Sequence, residues 1–335
     1  MLLIKVYDYS QNPVVAQPLV IDDDKGYVTH KFDGMDTLTF EIQRSNPIYK
    51  IIAEEVRVEA FNNRFTVKNI DEHSDFVIVE CLLDLDDWRQ KVLTNFGSSN
   101  VRITTPLNRM RPDGWVFVWD ESLDNTVRGV VEESPGQKFV AVVPIDVFPC
   151  ICEEFDVQFN FNVLTKTVYV KDPNAYTASG EFIMDGLNLR EFGFSGNSKD
   201  FVTRLYPYGK KDEATGEYLN ISSVNNGLEY IDNNQYSDNI VVGSWVDERY
   251  TNPTRLKKAA IKRLKTLSTP VRSYTCDVIN IGQNISLYKV ITLIDRNRKI
   301  RVNHQVVEYV EYKDHRLDRC SLAATSPKIG GSIFK

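Results

Sequence analysis

Apolar and polar residues alternate from Thr37 to Ile42. Leu38, Phe40 and Ile42 fall on one side of an extended chain and Thr37, Thr39 and Glu41 on the other, the period-two signature of a half-buried strand. Two more strand-like runs, Val56–Phe61 and Arg64–Lys68, flank Asn62 and Asn63. Asparagine tolerates the positive φ of a tight turn, so this stretch predicts a β-hairpin. Phe76–Cys81 adds a strand. Asn46 and Pro47 supply a capping side chain and a proline at the first helical position, predicting a short helix over Ile48–Ile52. Residues 1 to about 85 therefore read as a small antiparallel barrel or sandwich.

The period then changes. Leu85, Trp88, Val92 and Phe96 recur at helical spacing with Asp86, Asp87, Arg89 and Lys91 between them, which predicts a helix and a new domain. Gly97–Asn100 reads as a loop and Ser122–Glu133 as a helix through Leu123, Val127 and Val130. Phe155, Val157, Phe159 and Phe161 alternate with polar residues, and Thr167–Val170 returns beside them as a second hairpin. The middle region is thus α+β. Gly193–Asp200 reads as a junction, and Lys211–Asn239, with Thr215–Gly216 and Asn225–Gly227, predicts long hairpin loops. The clearest helix starts at the cap Asn252 and Pro253 and runs through Leu256, Ala260, Leu264 and Leu267 to Thr269–Pro270. Tyr274–Leu322 returns to strands, notably Val290–Ile294 and Val306–Tyr312, and Lys328–Ser332 predicts a frayed tail.

Composition narrows the class. The chain has 335 residues, of which 42% are hydrophobic and 26% charged, so disorder and fibrous folds are excluded and two or three domains have room. Lys+Arg 40 against Asp+Glu 46 leaves a net charge of -6, which argues against a broad basic surface for nucleic acid while leaving local patches open. Five scattered cysteines do not make a disulfide framework and fit a reducing compartment. The apolar run at Met1–Asp8 is too short for a secretory signal. Phe139–Cys152, interrupted by Pro144, Asp146 and Pro149, is too short to span a bilayer.

Catalytic and metal signatures do not assemble. Cys150-Ile151-Cys152 with Glu153 and Glu154 is half of a metal site with no second half, and reads as buried thiols. Asp22–Asp24 lacks the glycine and glutamate of a calcium loop. His30, His73, His304 and His315 are the candidate bases, yet no nucleophile elbow, zinc helix or phosphate loop accompanies them. No cofactor, metal or catalytic residue is expected.

One charged feature stands apart. Arg255, Lys257, Lys258, Lys262, Arg263 and Lys265 share a helix with no acidic residue between Thr251 and Ser268. These six positive charges against a whole-chain net of -6 leave -12 elsewhere. Such a helix can dock on nucleic acid or on an acidic neighbouring protein, or it can be an amphipathic surface helix whose leucine stripe packs on its own domain. Among the functional alternatives an intersubunit contact is preferred to DNA.

Several stretches, in order, resemble one family. They are Val28–Gly34 with Thr37–Ile42, Gly114–Trp115, Arg204-Leu205-Tyr206-Pro207-Tyr208-Gly209-Lys210, Ser223–Ile231 with Asn225 and Gly227, and Trp245–Pro253 leading into the basic helix. Together they resemble the N-terminal hub region of tailed-phage tail-tip proteins, the prophage tail endopeptidase or tail-associated lysin family, similar to the baseplate hub of contractile-tailed phages. In residue terms Tyr206–Gly209 reads as a structural corner, since proline fixes φ, glycine permits a turn, and tyrosines bury rings while keeping their hydroxyls bonded.

The resemblance implies a β-rich α+β fold, discontinuous in sequence. It assigns residues 1–85 to a first antiparallel β-barrel tube domain and 86–197 to an α+β middle domain, joined by 221–273 with the basic helix. Residues 198–220 with 274–326 form a second barrel, and 327–335 a frayed tail. It further implies a non-enzymatic homotrimer at the phage tail tip, made in the host cytoplasm and housed in the virion. That hub continues the tail tube, closes it, and lets DNA pass without specific binding. Its partners would be distal tail or tube proteins and the tape measure protein. Lytic activity in relatives belongs to a C-terminal extension, whereas this chain ends at Lys335 just past the last expected strand. The alternatives are a tail-associated peptidoglycan hydrolase or endopeptidase, and a carbohydrate-binding host-recognition module.

Overall fold

A computed structural model of the chain describes residues 1–323 apart from 11–13, 33, 125, 134–135, 280, 284 and 298; the expected frayed tail at 327–335 lies outside the described residues. The N-terminal segment supplies β1 (Leu2–Asp8), β2 (Val15–Ile21), β3 (Gly26–Lys31), β4 (Thr37–Gln43), β5 (Arg57–Ala60), β6 (Asn63–Glu72) and β7 (Phe76–Leu83). Alternation dictates their faces: Leu38, Phe40 and Ile42 on β4 and Val77, Val79 and Cys81 on β7 are all buried. The hairpin β5–β6 turns at Phe61 and Asn62, both at positive φ (48° and 56°), the geometry that matches strand twist. A 3-10 helix covers Pro47–Ile51, and the Asn46 side chain accepts from the Ile48 N–H, as the cap and proline predict.

The middle segment carries β8 (Leu93–Phe96), β9 (Ser98–Arg102), α1 (Thr104–Met110), β10 (Val116–Trp119), β11 (Arg128–Val131), β12 (Phe139–Val142), α2 (Phe148–Phe155), β13 (Gln158–Asn162) and β14 (Thr167–Lys171). Four readings change here. The helix expected through Leu85–Phe96 is a single 3-10 turn at Asp86–Arg89 followed by β8, because β8 pairs with β12, Phe96 facing Phe139. Gly97–Asn100 contributes to strand β9, and the helix expected over Ser122–Glu133 gives way to β11, the partner of β9. Val127, Val130 and Val131 favour extended backbone, and a Cβ on Gly129 would come within 2.7 Å of the Glu154 side chain. Phe155 ends α2 rather than opening β13, with Asp156 turning the chain at φ 57°. The β13–β14 hairpin forms as predicted. Trp88, fully buried, is ringed edge-on by Trp115, Phe117, Phe148 and Phe161.

The C-terminal segment adds β15 (Ala178–Met184), β16 (Leu189–Asn197), β17 (Arg204–Tyr208), β18 (Ile231–Asp232), β19 (Val242–Val246), α3 (Pro253–Leu267), β20 (Val271–Val278), β21 (Val290–Asp295), β22 (Ile300–Tyr312) and β23 (Arg319–Ala323). One sheet runs β16-β20-β23-β22-β3-β4-β7-β6-β5-β1-β2, with β21 beside β22 and β15 beside β21.

The fold is strand-rich α+β, and among the described residues no sheet closes into a barrel. The expected closure of the N-terminal strands fails at the two edges of their sheet. The free edge of β3 is taken by β22, Tyr309 opposite His30 and Glu311 opposite Val28, while β2 at the far edge carries Pro18, which has no ladder donor. The 204–208 strand, expected beside 274–326, pairs instead with β18 and β19.

The chain divides into two compact units. The first comprises Met1–Val131, Phe139–Gly193 and Thr275–Leu322. Within it Gly34, at φ +75°, lies so close to β13 that a Cβ would come 1.6 Å from the Phe159 carbonyl oxygen. The glycine of the Val28–Gly34 stretch is thus required by both conformation and contact. Tyr288 Oη bonds to both Phe32 O (3.0 Å) and Asn160 Oδ1 (2.7 Å). The second unit contains Glu132–Lys138 and Phe194–Tyr274.

Candidate functional site

All the motif residues singled out between Tyr206 and Lys265 fall in the second unit. Its sheet has the order β18-β17-β19, covered on one side by α3. Leu205 from β17 joins Ile221, Ile231, Leu256, Ala260 and Leu264 in its core. The leucine-and-alanine stripe of α3 does what its spacing predicts. Asn252 caps the helix by accepting from the N–H groups of Thr254 and Arg255.

The Tyr206–Lys210 segment explains itself atom by atom. Arg204 N–H donates to Val241 O (3.0 Å) and Tyr208 O accepts from Asp247 N–H (2.8 Å), so the even-numbered residues of β17 address β19. Leu205 and Pro207 therefore address the side of β18, which pairs only with Arg204 and Leu205. Pro207 sits where the neighbouring strand has ended, and its missing N–H costs no ladder bond. Gly209 follows, buried, with N–H donated to Leu219 O (2.7 Å) while Lys210 N–H donates to Tyr250 O (2.8 Å). A Cβ on Gly209 would lie 2.5 Å from Tyr250 O; the glycine allows two backbones to meet.

Leu205 and Pro207 are buried, whereas Arg204, Tyr206 and Tyr208 face the other way. Beside them in register stand Val242, Ser244 and Val246 of β19. Tyr206 packs on Tyr230 (5.3 Å between centroids) and Tyr208 on Tyr218 (6.2 Å). Arg204 holds Asp232 with two 2.8 Å bonds and lies 3.9 Å over the Tyr230 ring. The bond to Asp232, the largest influence, raises Arg204 above its usual range. Arg204 and Tyr230 lie inside the motif stretches, but nothing in the spacing of the sequence pairs them with Asp232. Asn225 orders its loop by donating to Tyr230 O (2.7 Å) and Leu228 O (3.1 Å). Gly227 follows at φ +83° with open space around it.

The basic residues of α3 do not act as one patch. Lys257 Nζ reaches Val224 O (2.9 Å), Arg255 pairs with Glu132 (3.2 Å), and Arg263 lies over the Trp245 indole (5.1 Å). Lys258, Lys262 and Lys265 are exposed on the face opposite the buried stripe. Trp245 also meets Tyr250 edge-on (5.6 Å).

The candidate bases sit in the first unit on separate partners. His30 lies between Asp36 (2.8 Å) and Glu311 (3.1 Å). Burial lowers its pKa, but the two carboxylates outweigh this and push it up to about 10, which makes it a cation. His315 bonds to buried Asp318 (3.1 Å), His73 stacks on Phe76, and His304 is buried. Cys150 and Cys152 lie on α2, and among the described residues no group of three or more His, Cys, Asp or Glu is placed to hold a metal. Among the described residues no helix is long and apolar enough to cross a membrane. The second unit presents a tyrosine-bearing sheet face and a lysine-bearing helix face.

Residues 177–329 match the family model described as prophage endopeptidase tail. No curated protein matches the chain. Among solved structures, the chain resembles prophage tail protein gp18 from Listeria monocytogenes EGD-e, with a TM-score of 0.62 over 96% of this chain and 94% of that one at 15% identity. The 43 kDa tail protein of prophage MuSo2 from Shewanella oneidensis gives 0.62 over 97% and 98% at 10% identity. The tail protein from Neisseria meningitidis MC58 gives 0.62 over 96% and 96% at 9% identity. At these identities the likeness establishes a shared fold.

Proposed function

We propose that the chain is a structural component of a phage or prophage tail, a homotrimeric hub at the tail tip that continues and closes the tail tube and lets DNA pass on infection. The observation that carries this reading is the fold shared over nearly the full length with two prophage tail proteins and a third tail protein. The family model over residues 177–329 supports it independently. In this reading the strands of 1–85 and those from Val290 to Ala323 build the tube wall, and the exposed lysines of α3 meet an acidic neighbour. The net charge of -6 suits a lumen that repels phosphate and does not hold DNA. The partners are distal tail or tube proteins and the tape measure protein, and the place of action is the virion. The chain works as a non-enzyme: the second unit presents packing surfaces, and His30, clamped as a cation by two carboxylates, has no free lone pair for base catalysis.

The test is assembly. Solution mass of the purified chain, together with labelled copies in purified tails, should show a trimer and a label confined to the tip. Digestion of cell walls by the purified chain, lost on replacing His73 or His304, would overturn the non-enzymatic part.

A further inference from the structure

Cys276 on β20 and Cys320 on β23 stand on adjacent strands of the large sheet. Val278 N–H donates to Asp318 O (2.8 Å), and Arg319 Nε meets Asp277 Oδ1 (3.4 Å). Each residue back along β20 is therefore one residue forward along β23, an antiparallel ladder, and the next step sets Cys276 opposite Cys320. Both side chains are buried, at 0% and 1% exposure, so they share the inner face. The neighbouring Cys276 thiol first, and burial second, lift the Cys320 thiol well above its ordinary range. Opposed residues on antiparallel strands have Cα atoms about 4.5–5.5 Å apart, inside the window of about 4.4–6.8 Å that a disulfide spans. Cys150 and Cys152, two apart on α2, point roughly 200° from one another and do not face each other.

We propose that Cys276 and Cys320 are a redox-sensitive pair, a dithiol under reducing conditions and a cross-strand disulfide under oxidising ones. With hydrogen peroxide as oxidant, one thiolate attacks a peroxide oxygen, the O–O bond breaks, and the departing hydroxide takes up the thiol's proton as water. The resulting sulfenic acid is attacked by the second sulfur. The S–S bond forms, the S–O bond breaks, and hydroxide leaves with the second proton as another water. Two thiols lose two electrons in all, and one peroxide becomes two waters. Burial and the raised thiol make the native pair slow, so reaction runs through local opening of the β20–β23 end of the sheet. The bond encloses β21 and β22 and so staples the strand that pairs with β3. Strand register and the burial of both side chains place the pair independently of the tail assignment.

The test treats the full chain with hydrogen peroxide, blocks remaining thiols with an alkylating reagent, and maps peptides by mass spectrometry. The expected product joins the Cys276 and Cys320 peptides, lighter by two hydrogens, and dithiothreitol separates them. Thermal unfolding should shift up by roughly 5–10 °C on oxidation, and the shift should vanish in a Cys276→Ser, Cys320→Ser variant. Mapping on the unaltered chain decides the matter even if that variant does not fold. Both thiols still alkylated, each converted separately to sulfinic acid, or either joined to another cysteine would overturn the proposal, given exposure long enough to cross-link the denatured chain.

Discussion

The guanidinium of Arg263 lies over the indole ring of Trp245, 5.1 Å from its centroid. It ties the basic helix to the strand that follows Tyr206–Lys210 in the sheet, and gives one of the six helix cations an internal role. A double-mutant cycle with Arg263→Ala and Trp245→Ala should measure a coupling of about 0.5–1 kcal/mol in urea unfolding. Trp245→Ala alone should cost more, about 2 kcal/mol, because the ring also packs on the core of the second unit. Purely additive single mutants would show that the contact carries nothing.

Gly34, Gly209 and Gly227 should separate contact from conformation. Gly34→Ala meets Phe159 O and a positive φ together, and is expected to abolish soluble folded protein. Gly209→Ala meets Tyr250 O and should cost several kcal/mol, on the order of 2–4. Gly227→Ala meets only the positive φ and should cost about 1 kcal/mol. Chemical denaturation of the three variants checks the ranking.

His30 joins β3 to β22 through Glu311 and should make stability depend on pH. Its folded pKa, pushed up to about 10, exceeds the ordinary 6.5. The folded state therefore holds the proton more tightly, so the contribution is complete below about pH 6.5 and lost as pH rises to about 10. Over that window the wild type should lose on the order of 2–4 kcal/mol more than His30→Gln. Parallel pH profiles for the two proteins would remove His30 from the account.

The exposed lysines of α3 test the intersubunit proposal. Lys258→Glu, Lys262→Glu and Lys265→Glu combined should leave circular dichroism unchanged, since the opposite face of α3 holds the core. The same change should raise the trimer dissociation constant at least about tenfold, roughly 1.4 kcal/mol, in sedimentation measurements. Unchanged assembly would assign these lysines to solvation.

What was legible in the sequence follows from the range of the forces involved. The α3 cap, its buried stripe, the Asn62 turn and the β13–β14 hairpin are set by residues within a few positions of one another, and spacing reveals them. The Leu85–Phe96 stretch misleads because β8 is fixed by β12, far along the chain, and Trp88 by four distant aromatic rings. Barrel closure depends on which strand occupies the edge of β3, and nothing near β3 specifies β22. At the candidate site the turn chemistry of Pro207 and Gly209 is readable, whereas the Asp232 partner of Arg204 and the Glu132 partner of Arg255 appear only after folding.

Electron microscopy of purified tails bearing a labelled copy of this chain tests the central proposal most directly. The account predicts three labels in a ring at the tail tip and none elsewhere. Labels repeated along the tube, or tails that carry none, would contradict it.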